Sequence, residues 1–170
     1  MTTISFRPYL PRDAAPLADL FAASIEELTA EDYDEGQRAA WASAAGDVEA
    51  FGERLAGWLT ILAEAEGEIL GFAALRDDPK VKENRIIEML YVSPDHAGQG
   101  IGKALLDVME LLARQRGAET ATVDASETAR EFFAGRGYEM QARNTVMRGD
   151  EWLVNTTMKK TLPERAKADG

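Results

Sequence analysis

Glycines at 98, 100 and 102 alternate with Gln99 and Ile101 immediately before Lys103 and a stretch of helical apolar spacing. With no Cβ atoms in the way, backbone N–H groups of such a segment can turn inward on an anion. The first-turn amides and dipole of the following helix add to the attraction. The chemistry implied is the holding of a phosphate or pyrophosphate. A nucleotide P-loop would place glycine at Ala97 and a hydroxyl at Ala104, so this segment fails at both ends. The dinucleotide fingerprint follows a chain's first strand and is answered by an acidic residue closing the second. Gly98 lies mid-chain, and Asp124 answers only loosely. A glycine connection with no ligand is the plain alternative; against it, each glycine weakens a helix start by up to about 1 kcal/mol relative to alanine. The chain contains no cysteine and a single histidine, His96. Thiolate nucleophiles, disulfides and cysteine or histidine zinc sites are therefore excluded, and no metal is expected.

The elements that must position this loop can be read around it. Ile4 to Pro8 has strand character, and Asp13 is placed to cap a helix whose apolar residues Leu17, Leu20, Phe21, Ile25 and Leu28 fall on one face. A second helical stretch carries Trp41, and Asp47 can cap a third with Val48, Phe51 and Leu55. Trp58 to Glu64 and Ile69 to Leu75 flank Glu66-Gly67 as a hairpin. Then come a strand over 86–92, the glycine loop, a long helix, a strand over 120–125, a helix over 127–135 and a closing pair of strands joined near Gly149-Asp150. Ile101, Leu105, Val108, Met109 and Leu112 give the long helix one buried face. The strand–helix–strand order demands parallel pairing through a crossover, so the expected fold is a mixed α/β (α+β) domain over 1–162, followed by a polar tail at 163–170.

Composition sets limits on partners. At 170 residues with 45% hydrophobic and 29% charged, the chain is of ordinary globular type and the size of one domain. Apolar runs such as 58–63 fall far short of the roughly 20 residues that span a bilayer, and the first residues lack the basic-then-apolar pattern of a secretory signal; a cytoplasmic protein is expected. The net charge of −11 opposes nucleic acid and anionic membranes while suiting an amine. A homodimer is left open.

Leu90-Tyr-Val-x-Pro94 followed by Gly98-x-Gly-Ile-Gly-Lys-Ala-Leu-Leu106 resembles the acetyl-CoA signature of the GNAT N-acetyltransferase superfamily. Ser126-x-x-Ala129-x-x-Phe132-Phe-x-x-x-Gly137-Tyr138 resembles the family's second signature, Asn-x-x-Ala-x-x-Phe-Tyr-x-x-x-Gly-Phe, in the right order and separation. The resemblance covers nearly the whole chain. Asp32-Tyr33, Trp41 and Arg143-Asn-Thr-Val146 are also similar to features of a subgroup of small acetyltransferases.

The resemblance implies a GNAT fold, with a mostly antiparallel sheet splayed between its central parallel strands, and direct transfer of acetyl from acetyl-CoA to a primary amine of a small molecule or peptide. Leu90, Tyr91 and Val92 would flank the pantetheine arm, with a Val92 amide for the thioester oxygen. Gly98, Gln99, Gly100, Ile101, Gly102 and Lys103 would hold the pyrophosphate. Ala97 stands where relatives usually carry Arg or Gln, and Gln99 where a basic residue is common, leaving a less basic cradle. Phe133 stands where many members have a proton-donating tyrosine and has no proton to give; Tyr138 is a substitute donor or a core residue. Ser126 replaces an asparagine, near the pantetheine or as a helix cap.

Removing the proton of an ammonium acceptor needs a base. Glu88 is the candidate, set by period-two alternation on the face of Leu90 and Val92, with pairing to an arginine as its alternative. His96 is assigned to the surface. Phe21, Tyr33, Trp41 and Trp152 are candidate liners of the acceptor pocket. The rival readings are a GNAT domain that senses acyl-CoA without catalysis and a Rossmann-type nucleotide binder.

Overall fold

The structure, a computed structural model, describes residues 3–164, so most of the expected polar tail lies outside the described residues. Strand β1 spans Ser5–Pro8, and helices α1 (Ala14–Leu28), α2 (Glu35–Ala42) and α3 (Val48–Gly57) follow. Strands β2 (Leu59–Ala65), β3 (Glu68–Asp77) and β4 (Asn84–Val92) lead to helix α4 (Ile101–Gln115). Strand β5 (Thr120–Ser126), helix α5 (Arg130–Ala134) and strands β6 (Glu139–Arg148) and β7 (Glu151–Thr161) complete the chain. One sheet contains all seven strands in the order β1-β2-β3-β4-β5-β7-β6. Every pairing is antiparallel except β4 with β5, whose parallel register needs the crossover that α4 supplies.

The sheet separates two apolar layers. On one face α1 and α3 bury Leu17, Phe21, Ile25, Phe51 and Leu55 against Leu62, Phe72 and Met89. On the other, α4 buries Ile101, Leu105, Leu106, Met109 and Ala113 against Ala63, Ala73, Leu75 and Val123. Full burial of each large apolar side chain contributes about 1.5–3 kcal/mol, so this face of α4 alone fixes the helix on the sheet. The fit is close at Gly71, where a Cβ would lie 2.7 Å from the Tyr91 carbonyl and 3.1 Å from Leu105.

Local signals account for most boundaries. The Asp47 side chain accepts from the Ala50 amide at 3.1 Å and starts α3 as expected. Asp13 does not cap α1. Its carboxylate accepts from both Arg7 Nη atoms and from the Leu10 amide, each at 2.8 Å, and the Arg7 bonds hold it below the usual carboxylate range. The helix expected over 127–135 is confined to Arg130–Ala134, because Ser126 to Ala129 form a turn first.

Buried polar bonds fix the start of the parallel pair. Asn84 Nδ2 donates to Asp78 Oδ2 and Thr122 Oγ1, both at 2.9 Å, and Asn84 Oδ1 accepts from Thr120 Oγ1 at 2.8 Å. Asn84 is only 3% exposed, so these partners replace the water it would otherwise keep.

Candidate active site

Strand β4 is bonded on both edges for only part of its length. Asn84 to Ile87 pair with Thr120 to Val123 of β5, and there the pairing ends. Beyond it, Asp124 to Ser126 remain paired to Thr157, Thr156 and Asn155 of β7, while β4 stays on β3 through Val92. The two central strands therefore part. The Ser93 amide donates to the Leu70 carbonyl at 2.8 Å, toward β3. Backbone groups alternate direction along a strand, so the polar groups of Leu90 and Val92 point the other way, into the gap.

The glycine loop stands at the end of this gap. Pro94 to His96 make one turn of 3-10 helix, and Gly98 and Gly100 take φ values of 76° and 80° before α4 begins. Those left-handed conformations turn the loop back on itself, and L side chains adopt them at a cost. Among the described residues, the amides from Gly98 to Lys103 have no hydrogen-bond acceptor. Open donors at a helix start are the donor set that a pyrophosphate fits. Lys103, Ala97 and Gln99 are exposed beside it. His96 lies at the rim, its Nε2 3.1 Å from Glu68 Oε1, and that carboxylate raises its basicity.

A cavity of about 380 Å³ opens at the splay. Ser24, Thr29, Tyr33 and Trp41 line it from the α1–α2 side, and Gly102, Ala129, Phe132 and Phe133 from the α4–α5 side. The cavity thus passes between the parted strands and joins the two layers. Leu90, Tyr91, Val92 and Ser126 line its waist. The Ser126 hydroxyl accepts from the Ala129 amide at 3.1 Å, capping the turn while facing the cavity.

Glu88 lines the cavity, but on a different face from the one its spacing implied. Ala74 pairs with Met89 and Leu75 with Ile87, so Glu88 is an extra residue in β4, a β-bulge. Its effect shows in the neighbours: Ile87, Leu90 and Val92 pack on the α4 layer, whereas Met89 and Tyr91 pack on the α1 layer. The alternation breaks at the bulge, and Glu88 does not share the face of Leu90 and Val92. Its Oε1 accepts from Arg76 Nε on β3, so the arginine pairing is realised at the cavity wall.

Of the aromatic candidates, Tyr33 and Trp41 line the cavity, their rings 5.3 Å apart. The Tyr33 hydroxyl donates to the Val154 carbonyl at 2.8 Å and accepts from the Glu127 amide at 2.9 Å, and burial raises its pKa above the ordinary tyrosine value. It ties the α1–α2 connection to both far walls. Phe21 is instead a core residue, packed on Phe51 and Tyr91 behind the wall. Trp152 is 57% exposed and outside the cavity, because β7 turns that position outward while Leu153 faces in. Burial also raises the Tyr91 hydroxyl well above its ordinary range.

Phe133 is buried against Phe132 and Tyr138 and forms part of the cavity floor. Tyr138 is not a lining residue. Its hydroxyl donates to Glu110 Oε2 at 2.8 Å, and burial holds its proton firmly. Three lining polar residues, Ser24, Asn155 and Arg148, stand out in no sequence motif, and Asp124 enters only as a loose answer to a dinucleotide fingerprint. Arg148 and Val146 stand two apart on β6 just before the Gly149 turn, a spacing that alone would have put them on one face. Among the described residues no cluster of His, Asp and Glu suited to a metal is present, and no helix is long and apolar enough to cross a membrane.

Comparison with known proteins agrees with this architecture. The family model described as an acetyltransferase (GNAT) domain matches residues 29–162. The uncharacterized N-acetyltransferase YafP of Escherichia coli (strain K12) is 27% identical over 159 residues, covering 94% of this chain and 97% of that protein. A crystal structure from Rhodopseudomonas palustris, described as "GCN5-Related N-acetyltransferase: Aminotransferase, Class-II", is 52% identical with a TM-score of 0.88 over 95% of this chain and 98% of its own. The PaiA N-acetyltransferase of Thermoplasma acidophilum, in complex with coenzyme A, shares the fold at a TM-score of 0.77 and 18% identity, covering 94% and 99%. The chain belongs to the GNAT acetyltransferase family.

Proposed function

We propose that this GNAT acetyltransferase moves the acetyl group of acetyl-CoA directly to a primary amine of a small molecule or peptide. The observation that carries the proposal is the cavity through the splayed sheet, with an open amide cradle at one side and an acidic, aromatic chamber at the other. Acetyl-CoA supplies the activated acetyl as a thioester. The open amides of Gly98 to Lys103 hold its pyrophosphate, and the gap-facing groups of Leu90 and Val92 receive the pantetheine arm. That the PaiA relative, which shares the fold, was crystallised in complex with coenzyme A supports coenzyme A as the ligand.

In the chamber, Glu88 takes the ammonium proton, directly or through water, so that the nitrogen lone pair can attack. Arg76 orients the carboxylate from β3. The Val92 amide donates to the oxygen on which negative charge gathers, a contribution of about 3 kcal/mol when such a donor is well aimed. The new C–N bond replaces the C–S bond, and the thiolate leaves. Phe133 cannot protonate it and Tyr138 is committed to Glu110, so the proton comes from solvent. With a reference thiol pKa of about 8.5, the leaving group tolerates that arrangement.

The test is a thiol-release assay with acetyl-CoA across amino acids, polyamines, aminoglycosides and peptide N-termini. Amine-dependent release, with the acetylated amine found by mass spectrometry, is the expected result. Tight coenzyme A binding by calorimetry with no transfer to any amine would overturn it.

A further inference from the structure

Arg148 is the one cation among the residues lining the cavity. An exposed residue at the end of β6, two residues after Val146, it borders the mouth of the cavity. Its guanidinium donates to its own neighbour, the Met147 carbonyl, at 3.1 Å, and among the described residues no carboxylate forms an ion pair with it.

That lack of a partner has a structural cause. The β6–β7 register sets Glu151 directly across from Arg148, where opposite charges ordinarily meet. Glu151 leans elsewhere: its Oε1 lies 2.6 Å from where a Cβ at Gly36 would stand, over the first turn of α2. Positive charge at a helix start attracts it there, and Gly36 leaves room for it. The other lining charges are occupied, Glu88 by Arg76 and Asp124 by the Thr157 hydroxyl at 2.6 Å. Arg148 also acts inward, since its charge offsets part of the rise that burial imposes on the Tyr91 hydroxyl.

We propose that Arg148 binds the carboxylate of the acceptor, and that the acceptor is an amino carboxylate, an amino acid or a close relative, rather than a polyamine. The inference rests on the transfer reading above. A planar guanidinium with unused N–H donors matches a carboxylate through paired, charge-assisted hydrogen bonds. Glu88 and Arg148 then meet the two ends of a zwitterion, and a second ammonium in place of the carboxylate is repelled.

The experiment compares kcat/KM for the twenty proteinogenic L-amino acids, each against its own carboxamide, with spermidine alongside. The best amino acid should exceed its amide roughly 10- to 100-fold, as expected for charge-assisted bonds. Arg148→Gln should collapse that ratio through KM for the acid, and Arg148→Lys should restore part of it. Because the ratio compares two substrates on one folded protein, a general loss of structure does not change it. Equal rates for acids and amides, preference for spermidine, or a ratio unaltered in Arg148→Gln would overturn the inference and leave the transfer reading standing. No transfer to any amine would overturn both.

Discussion

The two ends of β4 are built on opposite plans. At its start, Arg85 to Ile87 are paired with strands on both sides, and the buried Asn84 side chain joins Asp78, Thr120 and Thr122 in a partly buried network. At its end, Glu88 to Val92 are bonded on one side only and face a cavity on the other. The first plan gives the Asn84 amide group partners within the protein. The second leaves donors open, which is costly in a core and useful at a site, because a ligand can supply the missing acceptors. A single strand thus serves as anchor and receptor, and the anchor keeps the receptor from closing by further pairing.

The sharpest way to break this contrast is Gly100→Val at the open end. A branched residue at φ 80° costs roughly 1–3 kcal/mol and crowds the cradle. Coenzyme A affinity by calorimetry is expected to fall about 100-fold or more, while the melting temperature falls by only the roughly 2–12 °C that the strain implies. Unchanged affinity would place the pyrophosphate elsewhere. At the anchored end, Asn84→Ala removes a buried amide from three partly buried partners and should cost about 1–3 kcal/mol in urea unfolding, with coenzyme A affinity held within about twofold. A parallel loss of affinity would show that the two ends are not separable. Glu88→Gln, at the boundary between them, should lower kcat at neutral pH by several-fold to about 100-fold with little change in the KM for acetyl-CoA; a normal kcat would remove Glu88 as the base.

The smallest effect concerns pH. The Lys80 amide, and next the Asn84 side chain, hold the Asp78 carboxyl below its ordinary range. A depressed folded-state value contributes stability in full above the unfolded value of about 3.9, and that stability is lost as pH falls through the lower folded-state value. The difference in urea midpoint between the protein and Asp78→Asn should therefore be present at pH 6 and shrink as pH falls below about 3.9. A constant difference would mean that this carboxylate does not secure the anchored end.

Much of this was legible in the chain. Alternating glycines before an amphipathic helix mark the loop whose amides stand open, and the strand–helix–strand order implies the parallel pair around which the sheet parts. Tyr33 and Trp41 were read as liners and do line the cavity. The face of Glu88 was not legible, because a bulge depends on how β3 pairs with β4, and neither strand announces it. Phe21 and Trp152 have equal claims as aromatics in a sequence. Only the packing of α1 on Tyr91 and the outward turn of β7 send one to the core and the other to solvent. Arg148 escaped notice because its importance lies in a partner that has gone elsewhere, Glu151.

The bulge at Glu88 makes chain length itself a functional variable. Below it the odd-numbered Ile87 faces the α4 layer; above it the even-numbered Leu90 and Val92 do. Removing one residue there would restore unbroken alternation and shift the phase of everything on one side. Either the apolar residues of the anchored end would turn to the wrong layer, or the gap-facing amides would turn back toward β3. Many side chains in this strand can be exchanged at modest cost, but a single deletion or insertion between Ile87 and Met89 would leave the strand folded with its receptor end aimed at its neighbour.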